Sequence, residues 1–465
     1  MSRSPAPPLL RRRSSDEYAP LPYTARDALA LARLAARVPD RARTVRVPPR
    51  SYVESRRGTA ATLRALNEAA GDTFYDVPPE AELDDAAADA ALGGPPDSIV
   101  VDVQTHLAMP SRLTGVSAEQ LLEFLRVTDP DRWADGIPPA LLSAAEWAGH
   151  VFGNSETAVA VLTSTPGRPA ENVVTNPEIA ACREIIDRYA GTGRLLTHTI
   201  VHPNVPGELE AMPEWHDDLQ PDGWKLYTMW QPPEWPDPMD GGWFLDDERV
   251  GLPFLEQVRA VGPRVVAVHK GIGGPIPGAS ITTSSPRDVG PAARAFPDID
   301  FLVYHSGYEP DPDGEEGPYV PGAADRGVDR LIASLDEAGV GPGGNVYAEL
   351  GTTWFLMARK PREAAHVLGK LLRAVGPDRI LWGTDCIWYG SPQPLIDAFR
   401  AFSIPQSMQD EFGYPPLTAD VKQRILATNA ARVYGIDLGA ASIERDDAEW
   451  LADARADLAA LAAGG

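Results

Sequence analysis

Three of the chain's eight histidines stand at the ends of short apolar runs, where a side chain is held firmly enough to bind a metal or move a proton. Ile99-Val100-Val101 leads into Asp102-Val103-Gln104-Thr105-His106, Val265–Val268 into His269-Lys270, and Phe301–Val303 into Tyr304-His305. Two carboxylates occupy matching places, Glu349 in Tyr347-Ala348-Glu349-Leu350-Gly351 and Asp385 in Trp382-Gly383-Thr384-Asp385. Alternate side chains of an extended strand share a face, so Gln104 and His106 point the same way. Imidazole nitrogens combined with carboxylate oxygens suit a divalent transition metal, which makes Gln104, His106, His269, His305, Glu349 and Asp385 candidate ligands. Each alone has a plainer reading: a hydrogen-bonded structural histidine, a carboxylate orienting one, or an aspartate capping a helix. Their recurrence at one end of successive strands is what favours a metal site. Two further residues are candidates for the chemistry. Lys225 could be a carbamate-bearing ligand, a partner for a carboxylate or a substrate contact, and Glu309 could add another carboxylate.

The elements that must position these residues form a regular series. Eight apolar runs, Ile99–Val103, Ala158–Leu162, Leu195–Val201, Trp224–Tyr227, Val265–His269, Phe301–His305, Val346–Leu350 and Ile380–Trp382, alternate with helical patterns or long loops. The helical segments include Glu178–Tyr189, Leu252–Val261, Arg287–Phe296, Val328–Ala338, Pro361–Val375, Pro394–Phe402 and a final Ala419–Tyr434. Such alternation predicts parallel strands, and eight units predict a (β/α)8 TIM barrel. Its catalytic domain is expected over residues 98–437, with a helical tail over 438–465. Residues 1–97 lack the alternation and read as an N-terminal extension, partly disordered or helical (Ala25–Arg37, Ala60–Ala70), that packs on the barrel. Long loops follow the fourth, fifth and sixth strands, on the face where barrel enzymes build their sites. The first carries Trp230, Trp235 and Trp243, expected to line an apolar substrate pocket, and Lys270 begins the second.

A formal net charge of −24 argues against nucleic acid or an anionic membrane as partner. Two distant cysteines, Cys182 and Cys386, suggest a reduced, cytoplasmic protein. No apolar stretch approaches the roughly 20 residues that span a bilayer, and neither Arg11–Arg13 nor Arg56-Arg57 precedes the apolar core of an export signal.

The ordered motifs DVQTH, WKLYT, VHKG, YHSGYE, YAELG, WGTD and NAARVYGID resemble those of the amidohydrolase superfamily over Ser98 to Asp437. One departure stands out: Gln104 occupies the place of the first histidine of the usual His-x-His pair. Gln104 with the extra carboxylates Glu349 and Glu309 is similar to the TIM-barrel nonheme diiron monooxygenases of diterpenoid antibiotic biosynthesis. That resemblance implies two iron ions, dioxygen as co-substrate and an external electron donor. It also implies hydroxylation of an unactivated carbon on a coenzyme A-linked substrate, with Lys270 as a substrate contact to the coenzyme phosphates, by a chain that could be a homodimer. His269 and His305 would then serve one metal and His106, Gln104 and Asp385 the other, with Glu349 binding either. The alternative implied by the wider superfamily is a zinc- or manganese-dependent hydrolase or nonoxidative decarboxylase.

Overall fold

The computed structural model describes residues 6–13, 15, 17, 18, 21–95, 98–113, 123, 126, 139–167, 172–229, 242–273, 282–311, 314–440 and 449–462. Eight parallel strands follow one another in chain order: β1 Val100–Thr105, β2 Thr157–Leu162, β3 Leu195–Ile200, β4 Gly223–Tyr227, β5 Val265–His269, β6 Asp300–Tyr304, β7 Val346–Glu349 and β8 Ile380–Leu381. The chain beyond β8 closes the ring onto β1. Val103 donates to the Trp382 carbonyl (3.0 Å), Asp385 donates to the Gln104 carbonyl (2.9 Å), and Thr105 pairs with Cys386.

Strand periodicity sorts the apolar residues into two layers. Val101, Val103, Ala267, Leu302, Tyr304 and Leu381 pack inside the barrel, joined by Ala427 and Ala430 from the helical segment after β8. Val100, Leu226, Val266, Val268, Val303 and Val346 face the surrounding helices. With both faces buried, nearly every strand position is apolar, and the polar residues that remain lie mainly at the C-terminal ends.

The barrel helices fall close to their sequence patterns, with instructive differences. Helix Glu208–Leu219, which was not expected, runs through Pro213 and an acidic stretch that hides its periodicity. The long final helix is broken into Ala419–Gln423, a wider turn over Arg424–Thr428, and Asn429–Tyr434. Among the described residues no helix is long and apolar enough to cross a membrane.

Ahead of the barrel, helix Ala25–Thr44 starts from a reciprocal cap between Thr24 and Asp27 and packs on helix Arg56–Ala70. Arg41 and Arg64 both meet the buried Glu82 at 2.8 Å, which fastens the pair. This layer is stitched to the barrel's last helices by Asp76 donating to the Ala401 carbonyl (2.8 Å) and Ser403 to that of Phe74 (2.7 Å). At the other end of the chain, helix Glu449–Ala462 lies against helix Asn176–Ala190, where Asp457 meets Arg188 at 3.0 Å.

Candidate metal centre

The C-terminal ends of β1, β5, β6, β7 and β8 bring polar side chains together in two adjoining groups. In the first, His106 Nε2 lies 3.1 Å from Asp385 Oδ1, and the Gln104 amide nitrogen lies 3.3 Å from that oxygen and 3.4 Å from His106 Nε2. In the second, His269 Nδ1 and His305 Nε2 approach to 3.1 Å. A carboxylate from far upstream enters here: Glu17 Oε1 is 3.1 Å from His269 Nδ1, and its Oε2 is 3.0 Å from His305 Nε2. All of these side chains are buried.

Local backbone geometry aims them. The pairing of β1 with β2 shifts register between Asp102 and Thr105, the stretch that carries Gln104. Asp102 accepts hydrogen bonds from the Thr384 and Gln104 N–H groups and from the Thr384 hydroxyl, which ties β1 to the segment bearing Asp385. His305, Ser306, Thr352 and Asp385 have φ of 66°, 54°, 55° and 60°, positive values that non-glycine residues adopt at a cost of about 1–3 kcal/mol each. Four such residues gathered here show the surrounding structure holding the site in shape against local preference.

Each histidine turns its other ring nitrogen to a main-chain carbonyl: His106 Nδ1 to Thr163 (3.1 Å), His305 Nδ1 to Gly351 (2.8 Å) and His269 Nε2 to Ile272. Those bonds place the ring proton outside and leave a lone pair directed inward, the usual way a protein prepares a histidine for a metal. For His269 and His305 this sets two acceptor nitrogens against each other, which is stable only with a proton or a cation between them. Burial pushes the His305 imidazole down, but the Glu17 carboxylate outweighs it and raises the group to about 9. Burial lowers His269, with Lys225 and His305 adding to the effect, while Glu17 itself is held well below the usual carboxylate range by the two imidazoles in spite of its burial.

The remaining expected site residues are spread more widely. Glu349 is next to the centre, but its Oε2 accepts the His305 N–H (3.0 Å) and its Oε1 the Gly351 N–H. Lys225 is buried, its ammonium over the rings of Tyr304 (3.9 Å) and Tyr227 (4.3 Å). Glu309 lies apart, paired with Arg326 (3.3 Å) and accepting the Gly327 N–H. Lys270 is fully buried, and its three protons go to Asp288 (2.8 Å), the Thr283 carbonyl (2.9 Å) and the Thr228 hydroxyl (3.2 Å). Trp243 is buried and donates its main-chain N–H to Thr228; Trp230 and Trp235 lie outside the described residues. Two participants were absent from the sequence reading. Thr352, whose hydroxyl donates to Asp385, follows the strand-seven motif closely enough to have been considered. Glu17 carries no local signal at all.

The residues fit a divalent cation. Besides the opposed lone pairs, Gln104 Oε1 is buried and receives no hydrogen bond, and the donors are nitrogen and oxygen without thiolate. Gly351 and Gly383 form a cradle against this group: a Cβ on either would collide with Gln104 or Glu349.

A family model described as Amidohydrolase matches residues 101–436, from the first strand through the last helix of the barrel. Among curated proteins none matches the chain. Solved structures similar to it include a 5-carboxyvanillate decarboxylase from Novosphingobium aromaticivorans complexed with manganese (14% identity, TM-score 0.43, covering 74% of this chain and 98% of that one). A 2,6-dihydroxybenzoate decarboxylase from Rhizobium (16%, 0.38, 73% and 99%) is another. A third is a putative 2-pyrone-4,6-dicarboxylic acid hydrolase from Pseudomonas putida (16%, 0.40, 72% and 97%).

The family match corrects the expectation of a diiron monooxygenase, because the motifs that carried it all lie inside the span matched by the amidohydrolase model. The oxygen-rich donor set behind that expectation is not assembled either. Glu349 spends its oxygens on main-chain N–H groups, Glu309 stands with Arg326, and Gln104 is one substitution among otherwise amidohydrolase-type donors. Two irons, dioxygen and a coenzyme A-linked diterpenoid substrate therefore fall away. The chain belongs to the amidohydrolase family.

Proposed function

We propose that this protein is a divalent-cation-dependent enzyme of nonoxidative chemistry, hydrolysing or decarboxylating a small substrate at a carbonyl or carboxyl carbon. One observation carries the reading: three buried histidines, each with its outer nitrogen tied to a carbonyl, turn their inner nitrogens to buried carboxylates, His106 to Asp385 and His269 and His305 to Glu17. That donor set suits manganese or zinc. His106 and Asp385, with the Gln104 amide beside them, and the adjoining His269 and His305 would hold such a cation, which would supply a Lewis acid for a carbonyl or carboxyl oxygen.

The chain's own groups do the rest. Asp385 accepts the Thr352 hydroxyl hydrogen bond and lies beside His106, which places it at the centre as the group to take and return a proton. Lys225 adds positive charge near His269, which favours a substrate carrying a carboxylate despite the strongly acidic chain. Burial of the whole set excludes bulk water and strengthens these interactions.

The test is anaerobic turnover of a panel of aromatic carboxylates, lactones and amides by protein loaded with manganese or zinc, with carbon dioxide and hydrolysis products measured separately. Turnover without dioxygen or reductant, lost on chelation, is expected. Asp385→Asn should lower kcat by about 100-fold or more, within the range for general acid–base groups. Full activity in metal-free protein, or a strict need for dioxygen, would refute the assignment.

A further inference from the structure

The mouth of a barrel enzyme is normally completed by its own βα loops. Here a residue more than eighty positions ahead of the first strand reaches the centre. Glu17 is fully buried, and its two carboxylate oxygens address the inward nitrogens of His269 and His305 one apiece, at 3.1 and 3.0 Å. The ligating atoms of these three residues all lie within 4.8 Å of one another, the geometry of a shared ion. Each imidazole commits its outer ring nitrogen to a carbonyl, so the buried Glu17 carboxylate is balanced only by a proton or a cation shared with the two inward nitrogens. A buried carboxylate without either is expensive, and the three ligating residues are spaced to share a cation.

The segment around Glu17 is built to hold it there. The Glu17 N–H donates to Ser15 Oγ (3.1 Å), Tyr18 donates to the Arg13 carbonyl (2.9 Å), and Leu9, Leu10 and Tyr18 are buried. Tyr23 donates to the Leu10 carbonyl (2.8 Å), which folds the extension back on itself. Tyr18 also neighbours Tyr389, whose hydroxyl is 2.7 Å from that of Thr352, the donor to Asp385. The extension thereby touches both halves of the centre.

We infer that Glu17 is a metal ligand delivered by the N-terminal extension, so that cation binding and docking of the extension on the barrel are one coupled event. The inference rests on the metal-dependent reading above and adds a ligand and a closure to it. Its consequence is that the extension covers the centre in the loaded enzyme and loosens when the metal leaves.

The experiment uses full-length protein stripped of metal and titrated with manganese, free ion being followed by its electron paramagnetic resonance signal. Trypsin cleavage after Arg11, Arg12 and Arg13 is measured in parallel as a direct readout of docking. In the wild type, manganese should slow that cleavage. Loss even of groups that only support a ligand weakens metal binding by 10–100-fold, so Glu17→Gln should weaken manganese binding by about 100-fold or more. It should also abolish the protection. Wild-type protein that takes up no manganese would overturn the metal reading itself. Wild-type protein that binds manganese without protection of Arg11–Arg13, a measurement that needs no variant, would overturn the inference alone. So would Glu17→Gln that binds as tightly as wild type, and higher turnover in that variant would mark Glu17 as an inhibitory plug.

Discussion

Lys270 follows a centre histidine and invites the reading of a substrate contact, yet its surroundings make it a structural charge with a measurable role. The ammonium is fully buried and bonded to Asp288, Thr283 and Thr228, and Asp288 also accepts the Leu245 N–H at 2.7 Å. The network clamps the end of β5, and with it His269, to the loops on either side. Burial lowers the basicity of Lys270, and Asp288 at 2.8 Å opposes that. Lys270→Met removes one partner and strands the other, an event that costs about 3–5 kcal/mol when the pair is buried. Unfolding entropy near 2.1 cal/mol/K per residue amounts to about 1 kcal/mol/K for 465 residues, so the Tm should fall by about 3–5 °C. Calorimetry at pH 7.5 in the presence of chelator separates this from any effect on metal binding. Asp288→Asn in the same chain removes the stranded charge while still accepting the Leu245 N–H, so the double variant should recover part of the loss. A single variant melting within about 1 °C of wild type, or a double variant less stable than the single, would refute the reasoning.

Two other outcomes follow from the packing and charge around the centre. In Gly383→Ala the new methyl would stand 2.9 Å from Glu349 Cδ and 3.0 Å from Gln104 Cβ, and Glu349 cannot retreat without abandoning the His305 and Gly351 N–H groups. Overpacking of this kind costs about 1–3 kcal/mol; elemental analysis should find less metal per chain, and full occupancy with an unchanged Tm would contradict the argument. His198 sits between the hydroxyls of Tyr304 (3.3 Å) and Tyr434 (3.0 Å), and burial, helped by Lys225, depresses it to about 3. The unfolded chain then binds a proton below the ordinary histidine pKa of about 6.5 while the folded one does not, so stability should fall as pH drops from about 6.5 toward 3, by up to roughly 1.4 kcal/mol per unit. His198→Gln should flatten that slope in Tm measured between pH 7 and 5, and parallel wild-type and variant slopes would exclude the histidine as its source.

What could be read without a fold was whatever repeats locally. The β-branched runs mark the strands because a doubly buried strand must be apolar along its length, and the polar residues ending β1, β5, β6, β7 and β8 stand out against that background. Helix Glu208–Leu219 escaped notice because Pro213 and its acidic neighbours mask the 3.6-residue period. Residue type at a strand end says little about what the side chain finally touches. Gln104 and Glu349 looked alike as extra donors, but closure of β8 onto β1 leaves the Gln104 oxygen unpaired and turns both Glu349 oxygens to main-chain N–H groups. Lys270 was chemically plausible at the mouth until Asp288, eighteen residues on, folded under it. Glu17 marks the limit most clearly. It belongs to no periodic pattern, and its meaning arises only when an irregular segment is laid against His269 and His305, more than 250 residues away along the chain. Contacts across that distance follow from closure of the barrel and packing of the extension on it, and local spacing carries no record of either.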